Sequence, residues 1–298
     1  MIRRSQAAPA AALLSFALWL SVPGPVLADD SLGPGAVLKE SRQVQEQPVL
    51  TEEESRRIRE RTQREQLRRD TPEYRAYKEQ AALTLPVLTF DVSRFLLPDN
   101  AGMLVVVEGT GGSSCDVYVY EKEGHGWQQR LAASGRLGKN GMNRHRTTGD
   151  KTTPIGVFRL NTPFGQLPPM EGFPLDYIQV DSSYTWTDDT NRLVKDPGLP
   201  GEHVGTSGYL DYYDYVLDMG FNPEAIPDQG SALFLHCEAD SWMSSSGCVS
   251  VPREQMEEIM KFYGTWGEGR CFIALAPEGE FDSVYNTYGT NHGLSPED

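Results

Sequence analysis

Apolar positions along this chain fall into three regimes. Residues 10–22 form one short apolar block near the start. A polar stretch follows, and from Thr84 onward come short tracts with strand-like patterning. In the polar stretch, Thr51-Glu52-Glu53-Glu54 reads as a capping box, and the residues to Arg69 are charged helix formers, which predicts a helix over 51–69 and a second, shorter one over 72–82. Strands are expected at 87–90, with Pro86 at its start, and at 104–107. The alternating run 116–121 leads into Glu123-Gly124-His125-Gly126 and resumes at Trp127, the signature of a hairpin. Further strands are expected at 157–160, 177–180, 215–217, 233–235 and 272–276. One helix stands out among them, 252–263, with Pro252 at its start and Met256, Ile259, Met260 and Tyr263 on one face. The pattern is mainly β with some α, and no fixed-period repeat is visible.

The first apolar block has the parts of a secretory signal peptide over residues 1–28. Arg3 and Arg4 precede it, Pro23 and Pro25 break it, and Val26-Leu27-Ala28 offers a small-residue cleavage site. The block is short for a bilayer span, so the mature chain is expected to be exported to the periplasm, envelope or exterior with no stable membrane insertion. The formal charge of the 298 residues is -15, and removal of Arg3 and Arg4 with the leader makes it -17. Such a field repels nucleic acid, and the densest arginine run, 56–69, is interleaved with glutamates and has no aromatics. Four divisions follow: the leader 1–28, a polar linker and charged helical arm 29–83, a domain 84–279, and a polar, poorly ordered tail 280–298. The arm, with few apolar positions, is expected to be solvated and loosely packed, and its alternative use is as a spacer or docking arm.

The chemistry concentrates in residues 231–256. A short apolar strand delivers His236, and twelve residues later a Ser244-Ser245-Ser246-Gly247 turn presents Cys248, followed by Val249 and Val251. A thiol near neutral pH is mostly protonated. A neighbouring imidazole draws off its proton and later returns it to a leaving group, which suits acyl transfer. Gly247 lets the backbone pack close, so that its N–H and that of Cys248 are candidates to face an oxyanion.

At these residues the chain resembles the L,D-transpeptidase catalytic domain family, of the YkuD or ErfK/YbiS type. The family shows a His, a variable stretch, then Ser-His-Gly-Cys, an apolar residue and Arg or Asn. Here the positions are His236 and Ser245-Ser246-Gly247-Cys248-Val249-Ser250, so Ser246 and Ser250 replace the usual His and the usual Arg or Asn. Gly149-Asp150-Lys151-Thr152-Thr153-Pro154-Ile155-Gly156-Val157-Phe158 is similar to the family's Thr-Pro-x-Gly-x-Phe segment, and the likeness covers about residues 105–277. The resemblance implies a YkuD-like β-sandwich and two-step acyl transfer on peptidoglycan tetrapeptide stems. In it Cys248 is the nucleophile, His236 the general base and acid, and the Gly247 backbone an oxyanion donor. It implies a role in cell-wall biogenesis and cell shape. Ser245, Ser246, Trp242 and Tyr215 are candidates to touch substrate; Trp242, Tyr212, Tyr213 and Tyr215 either line the cleft or fill the core, and core is the default for aromatics near strands. No cofactor and no metal is expected, since His236, Cys237, Asp240 and Cys248 lack the spacing of a tetrahedral zinc site.

Several readings stay open. The second step can use an amine, water or an existing cross-link, giving a transpeptidase, an L,D-carboxypeptidase or an endopeptidase. A non-catalytic envelope or peptidoglycan-binding scaffold is the rival from another class. In an exported chain Cys115, Cys237 and Cys271 leave room for one disulfide beside Cys248, and strand alternation turns Cys237 away from the face of His236. A helix soon after Cys248 offers its positive end to a thiolate, with modest effect at that distance. Lys139, Arg144 and Lys151 lie in a glycine-rich stretch that is either a solvated loop or a contact for stem carboxylates. His125 and His145 are expected near solvent, His145 between Arg144 and Arg146, while His203 and His292 have no evident partner.

Overall fold

The computed structural model describes residues 51–69, 71–72, 75–76, 88–239 and 245–289. The leader, most of the linker, Trp242 and His292 lie outside the described residues, as does most of the second arm helix. The chain is mainly β. Its strands in order are β1 Met103–Gly111, β2 Ser114–Glu123, β3 Gly126–Arg136, β4 Met142–Asn143, β5 Thr153–Pro154, β6 Gly156–Arg159, β7 Asn161–Gly165, β8 Ile178–Gln179, β9 Thr185–Thr187, β10 Arg192–Val194, β11 Gly201–Glu202, β12 Val216–Asp218, β13 Phe234–Cys237, β14 Val249–Val251 and β15 Cys271–Pro277. Among the described residues two helices, α1 Glu52–Arg69 and α2 Arg253–Trp266, join these strands, with short 3-10 turns besides. Among the described residues, no helix is long and apolar enough to cross a membrane.

Ten strands form one sheet in the order β6-β15-β1-β2-β3-β14-β13-β12-β7-β8. Alternate residues send their side chains to opposite faces. On the inner face Val105, Val107, Val117, Val119 and Ile273 from one end join Leu217, Leu235, Cys237, Val249 and Val251 from the other. Met256, Ile259, Met260 and Tyr263 of α2 close that cluster, so the expected sandwich is built by one continuous sheet whose two ends share a core. The outer face is also covered, which explains the unbroken burial of β1, β13 and β15. At the β15-β1-β2 end Phe90, Phe95, Phe281, Val284 and Tyr285 pack on Leu104, Val106, Tyr118 and Phe272. At the β13-β14 end the cover comes from Val180, Tyr184, Val204 and Tyr213 together with Trp186 of a small sheet, β10-β9-β11.

Four expectations need correction. Residues 88–90 are irregular, because Phe90 turns down onto Tyr118 and Phe281 and the segment forms no ladder. The described part of the tail packs on the domain, since Phe281, Val284 and Tyr285 are buried in the outer cluster. Cys248 does not directly precede the helix, because β14 lies between them. The arm is also less loosely attached than its composition suggests. Arg61 of α1 is buried, donates to Asp211 Oδ1 at 3.0 Å and pairs with Asp214. Asp214 is fully buried and is also paired with Arg253 at the start of α2.

This ionic set sets an order of stabilities. Removing one partner of a buried pair costs roughly 3–5 kcal/mol when the other charge is left alone. Arg61→Ala leaves Asp214 with Arg253 and should cost less than that figure. Asp214→Asn leaves the guanidinium groups of Arg61 and Arg253 to share the half-exposed Asp211 and should cost more than Arg61→Ala. Urea unfolding of the two variants checks the order, and a reversed order would remove the arm from the stability of the domain.

Candidate active site

Strands β13 and β14 run parallel in the register Leu235↔Val249, His236↔Ser250 and Cys237↔Val251. Cys248, two residues before Ser250, therefore shares a face with Phe234 and His236, while Cys237 and Val249 point into the inner core. His236 and Cys237 thus face opposite ways and do not converge on an ion. Among the described residues, no group of three or more metal-binding side chains gathers anywhere. All four cysteines are free and buried.

His236 is 4% exposed and its ring lies edge-on to Tyr213, with centroids 5.4 Å apart. Its Nδ1 is 2.7 Å from the carbonyl oxygen of Cys237. A carbonyl can only accept, so Nδ1 carries the proton of the neutral ring and Nε2 is the basic nitrogen. Burial lowers the imidazole to about 4, against the opposing pull of hydrogen bonds to the Cys237 and Tyr212 backbone. The same burial pushes the Cys248 thiol up to about 12, Glu202 adds to the rise, and the Phe234 N–H and Arg146 work against it. Cys248 Sγ accepts from Phe234 N at 3.3 Å and donates to Ala232 O at 3.4 Å. Thiol and imidazole both rest neutral on the same face of the sheet, and the thiol's hydrogen bonds run to the neighbouring strand.

The turn before Cys248 is braced from two sides. Ser245 Oγ donates to Cys248 O at 2.7 Å and accepts from Gly247 N at 3.1 Å. Gly247 has φ +142, and a Cβ there would sit 2.7 Å from Thr152 O and 2.8 Å from Leu233 Cδ2, so only glycine fits. Gly138 forms a bridge with Ser245 and donates its N–H to Thr153 Oγ1 at 2.8 Å, and Lys139 N donates to Ser245 O at 2.9 Å. The Thr152-Thr153-Pro154 segment therefore holds the cysteine turn in place.

These contacts revise three of the sequence assignments. The Gly247 N–H is engaged by Ser245 Oγ and does not face an oxyanion, and Ser245 itself is a brace of the turn. Tyr215 is buried on the inner face against Phe173 and Tyr177, because Val216 is the residue paired with His236 and its neighbours point the other way. Ser246 is exposed beside the turn. Of the basic residues in the preceding loop, Lys139, His145 and Lys151 are exposed, and Arg144 bonds Ser283 of the tail. His125 is exposed in its turn, and His203 Nδ1 pairs with Thr185 Oγ1 at 3.0 Å.

Tyr213, one of the aromatics read as lining the cleft or filling the core, packs on His236, stacks with Tyr209 at 4.6 Å and donates to Glu202 Oε2 at 2.7 Å. One feature escaped the sequence. Arg146 is the one buried cation of the loop. Its Nε donates to Thr152 O at 3.1 Å and its Nη1 to Gln229 O at 2.9 Å. The flanking Arg144 and His145 gave no sign that the third basic residue would turn inward.

Among curated proteins, none matches the chain. A solved structure titled "Structure of Bdellovibrio bacteriovorus Bd1075" aligns at 16% identity over 59% of this chain, with a TM-score of 0.33. The alignment spans 48% of that protein's chain. Residues 112–268, more than half of the sequence and including β13, the cysteine turn, β14 and α2, match the YkuD family, described as the L,D-transpeptidase catalytic domain. The chain belongs to the YkuD family of L,D-transpeptidase catalytic domains.

Proposed function

We propose that this domain is a cysteine acyltransferase acting on the tetrapeptide stems of peptidoglycan, with Cys248 as nucleophile and His236 as general base. The observation that carries the reading is the register of β13 on β14, which puts thiol and imidazole on one face of the sheet with Nδ1 fixed by the Cys237 carbonyl. Family membership supports peptidoglycan as substrate. Such a substrate lies outside the cytoplasm and agrees with an export signal over residues 1–28.

The chemistry runs in two steps. Swung away from Ala232 O, the thiol gives its proton to His236 Nε2 as sulfur attacks the carbonyl of the third stem residue. The carbonyl π pair moves onto oxygen and returns as the C–N bond breaks. Protonated His236 then hands its proton to the departing D-alanine amine, leaving a thioester on Cys248. An amine of a second stem attacks the thioester, His236 takes its proton, and sulfur leaves as the thiolate and is reprotonated. Water in place of the amine gives an L,D-carboxypeptidase, and attack on an existing cross-link gives an endopeptidase. Mass spectrometry of muropeptides incubated with the protein separates the three by product: cross-linked dimers, tripeptides or released monomers. The free thiol of Cys248 favours the enzyme over a scaffold that ties up its cysteine.

Cys248→Ala should abolish turnover and leave the unfolding midpoint close to native, because the thiol lies at the edge of its cluster and contributes little volume. Product formation at the native rate in this variant would remove the mechanism. His236→Ala should lower kcat by ~10²–10⁴-fold, the usual contribution of a general base. The pH dependence follows from the depressed imidazole. Base catalysis needs the neutral ring, so kcat/KM should stay level from neutral pH downward and fall only as pH drops through about 4, where His236 takes up its proton. An acidic limb near the ordinary histidine value, about 6.5, would show that burial does not control the base.

A further inference from the structure

Arg146 is the feature of the site that the reaction above leaves unused. It is 6% exposed, and its two carbonyl partners, Thr152 O and Gln229 O, anchor Nε and Nη1. Nη2 has no carboxylate at hydrogen-bond distance, the nearest being Asp150 Oδ1 at 3.8 Å. That nitrogen lies toward the cysteine turn, 3.5 Å from the place a Cβ would occupy on Gly247. Room for the guanidinium is made by a second glycine, since a Cβ on Gly230 would meet Nη1 at 2.3 Å. Both glycines have positive φ, +94 at Gly230 and +142 at Gly247. A buried arginine is costly, and its one carboxylate partner, Asp150, pairs with it only at 3.8 Å, which leaves room for a second anion to compensate the charge.

The anions formed in this site during the reaction are the Cys248 thiolate and the oxygen of the tetrahedral intermediate. Of the donors expected for them, Ser246 and Ser250 stand where the family carries basic or amide side chains and the Gly247 N–H is bonded to Ser245 Oγ, which leaves the Cys248 N–H. We propose that Arg146 is the charge partner of Cys248, a positioning residue whose guanidinium stabilises the thiolate and the intermediate formed on it. The inference rests on Cys248 being the nucleophile. It accounts for how a thiol in so apolar a pocket, against Phe234 and Tyr213, ionises without a second histidine. The reciprocal influence of the two groups agrees: Arg146 lowers the Cys248 thiol, and the sulfur favours the charged guanidinium.

The test is alkylation of Cys248 in the full chain by iodoacetamide and iodoacetate at one mildly alkaline pH, with Cys248→Ala as the blank for the other cysteines. Only thiolate reacts, sulfur displacing iodide from the reagent's methylene carbon, so the rate reports the thiolate fraction. Arg146→Gln should slow iodoacetamide by about tenfold or more, a tenfold loss of thiolate corresponding to a rise of one pH unit in the thiol pKa. The preference for anionic iodoacetate should fall with it. On stem substrate this variant should lose kcat with KM little changed, and Arg146→Lys, which keeps the charge, should recover part of the loss. Asp150→Asn leaves Arg146 in place and removes its nearest anion, so it should raise both the alkylation rate and the iodoacetate preference. Asp150→Asn decides the matter alone if Arg146→Gln does not fold. Native alkylation rates and native reagent preference in the folded variants would overturn the proposal. With Cys248→Ala inactive, that result would leave the nucleophile assignment standing, whereas an active Cys248→Ala would bring down both.

Discussion

The arrangement of the site depends on one backbone constraint, the parallel pairing of β13 with β14. Because side chains alternate along a strand, a slip of one residue would send Cys248 into the core and bring Val249 to the outer face. Nothing inside the two short strands alone fixes that register, which is held at its flanks. On the inner side Leu235, Cys237, Val249 and Val251 are buried against α2 and the far end of the sheet. Before Cys248, Gly247 is pressed against Thr152 O and Leu233, and Ser245 is bridged to Gly138. The Thr-Pro segment and the cysteine turn, nearly a hundred residues apart in sequence, are thus one mechanical unit.

Covering both faces of the sheet has an electrostatic consequence. The low-polarity surroundings that secure the register also disfavour charge, so the thiol moves up and the imidazole moves down. Both groups therefore rest neutral, and in the proposed reaction the charge needed for attack exists only while that reaction proceeds. A fixed dipole or cation is worth more in such a place than beside water, because little solvent is there to screen it. The Cys237 carbonyl serves the imidazole in this way, accepting from Nδ1 and so favouring the ring when it carries the extra proton.

Much of this was legible from the chain. The 124–126 turn, the α2 face and the His236 strand each carried a period or a turn residue strong enough to stand alone, and Cys237 followed from alternation. Legibility failed where information was non-local. Tyr215 looked like a candidate for the cleft, but its direction is fixed by the pairing Val216↔His236, which no local pattern shows. The small sheet β10-β9-β11 is made of two- and three-residue strands rich in polar residues, too short for any periodicity. Phe281, Val284 and Tyr285 do have a helix-like spacing, hidden in a polar tail, and they are ordered by the aromatic cluster they complete with Phe90 and Phe95. Ser245 and Gly247 were placed correctly in a turn, but the hydrogen bond between them, which changes what Gly247 can do, is a matter of side-chain direction alone.

The buried cations separate structural from chemical charge. Arg61 and Arg253 meet Asp211 and Asp214, two charges of each sign, in a set that fastens α1 and α2 to the segment 211–214. That segment carries Tyr212, whose backbone bonds His236, and Tyr213, whose ring packs on it, so the ionic set lies behind His236 as a support. A neutralised cluster of this kind has little field left to act on a neighbour. Arg146 is held by carbonyls and pairs with a single carboxylate, Asp150, at 3.8 Å, so its charge is less fully compensated. Two arrangements of the same side chain in one small domain thus have opposite physical effects. The compensated set stabilises geometry, while the guanidinium with one longer ion pair is, in the reading proposed above, free to act on Cys248, the cysteine of the outer cluster.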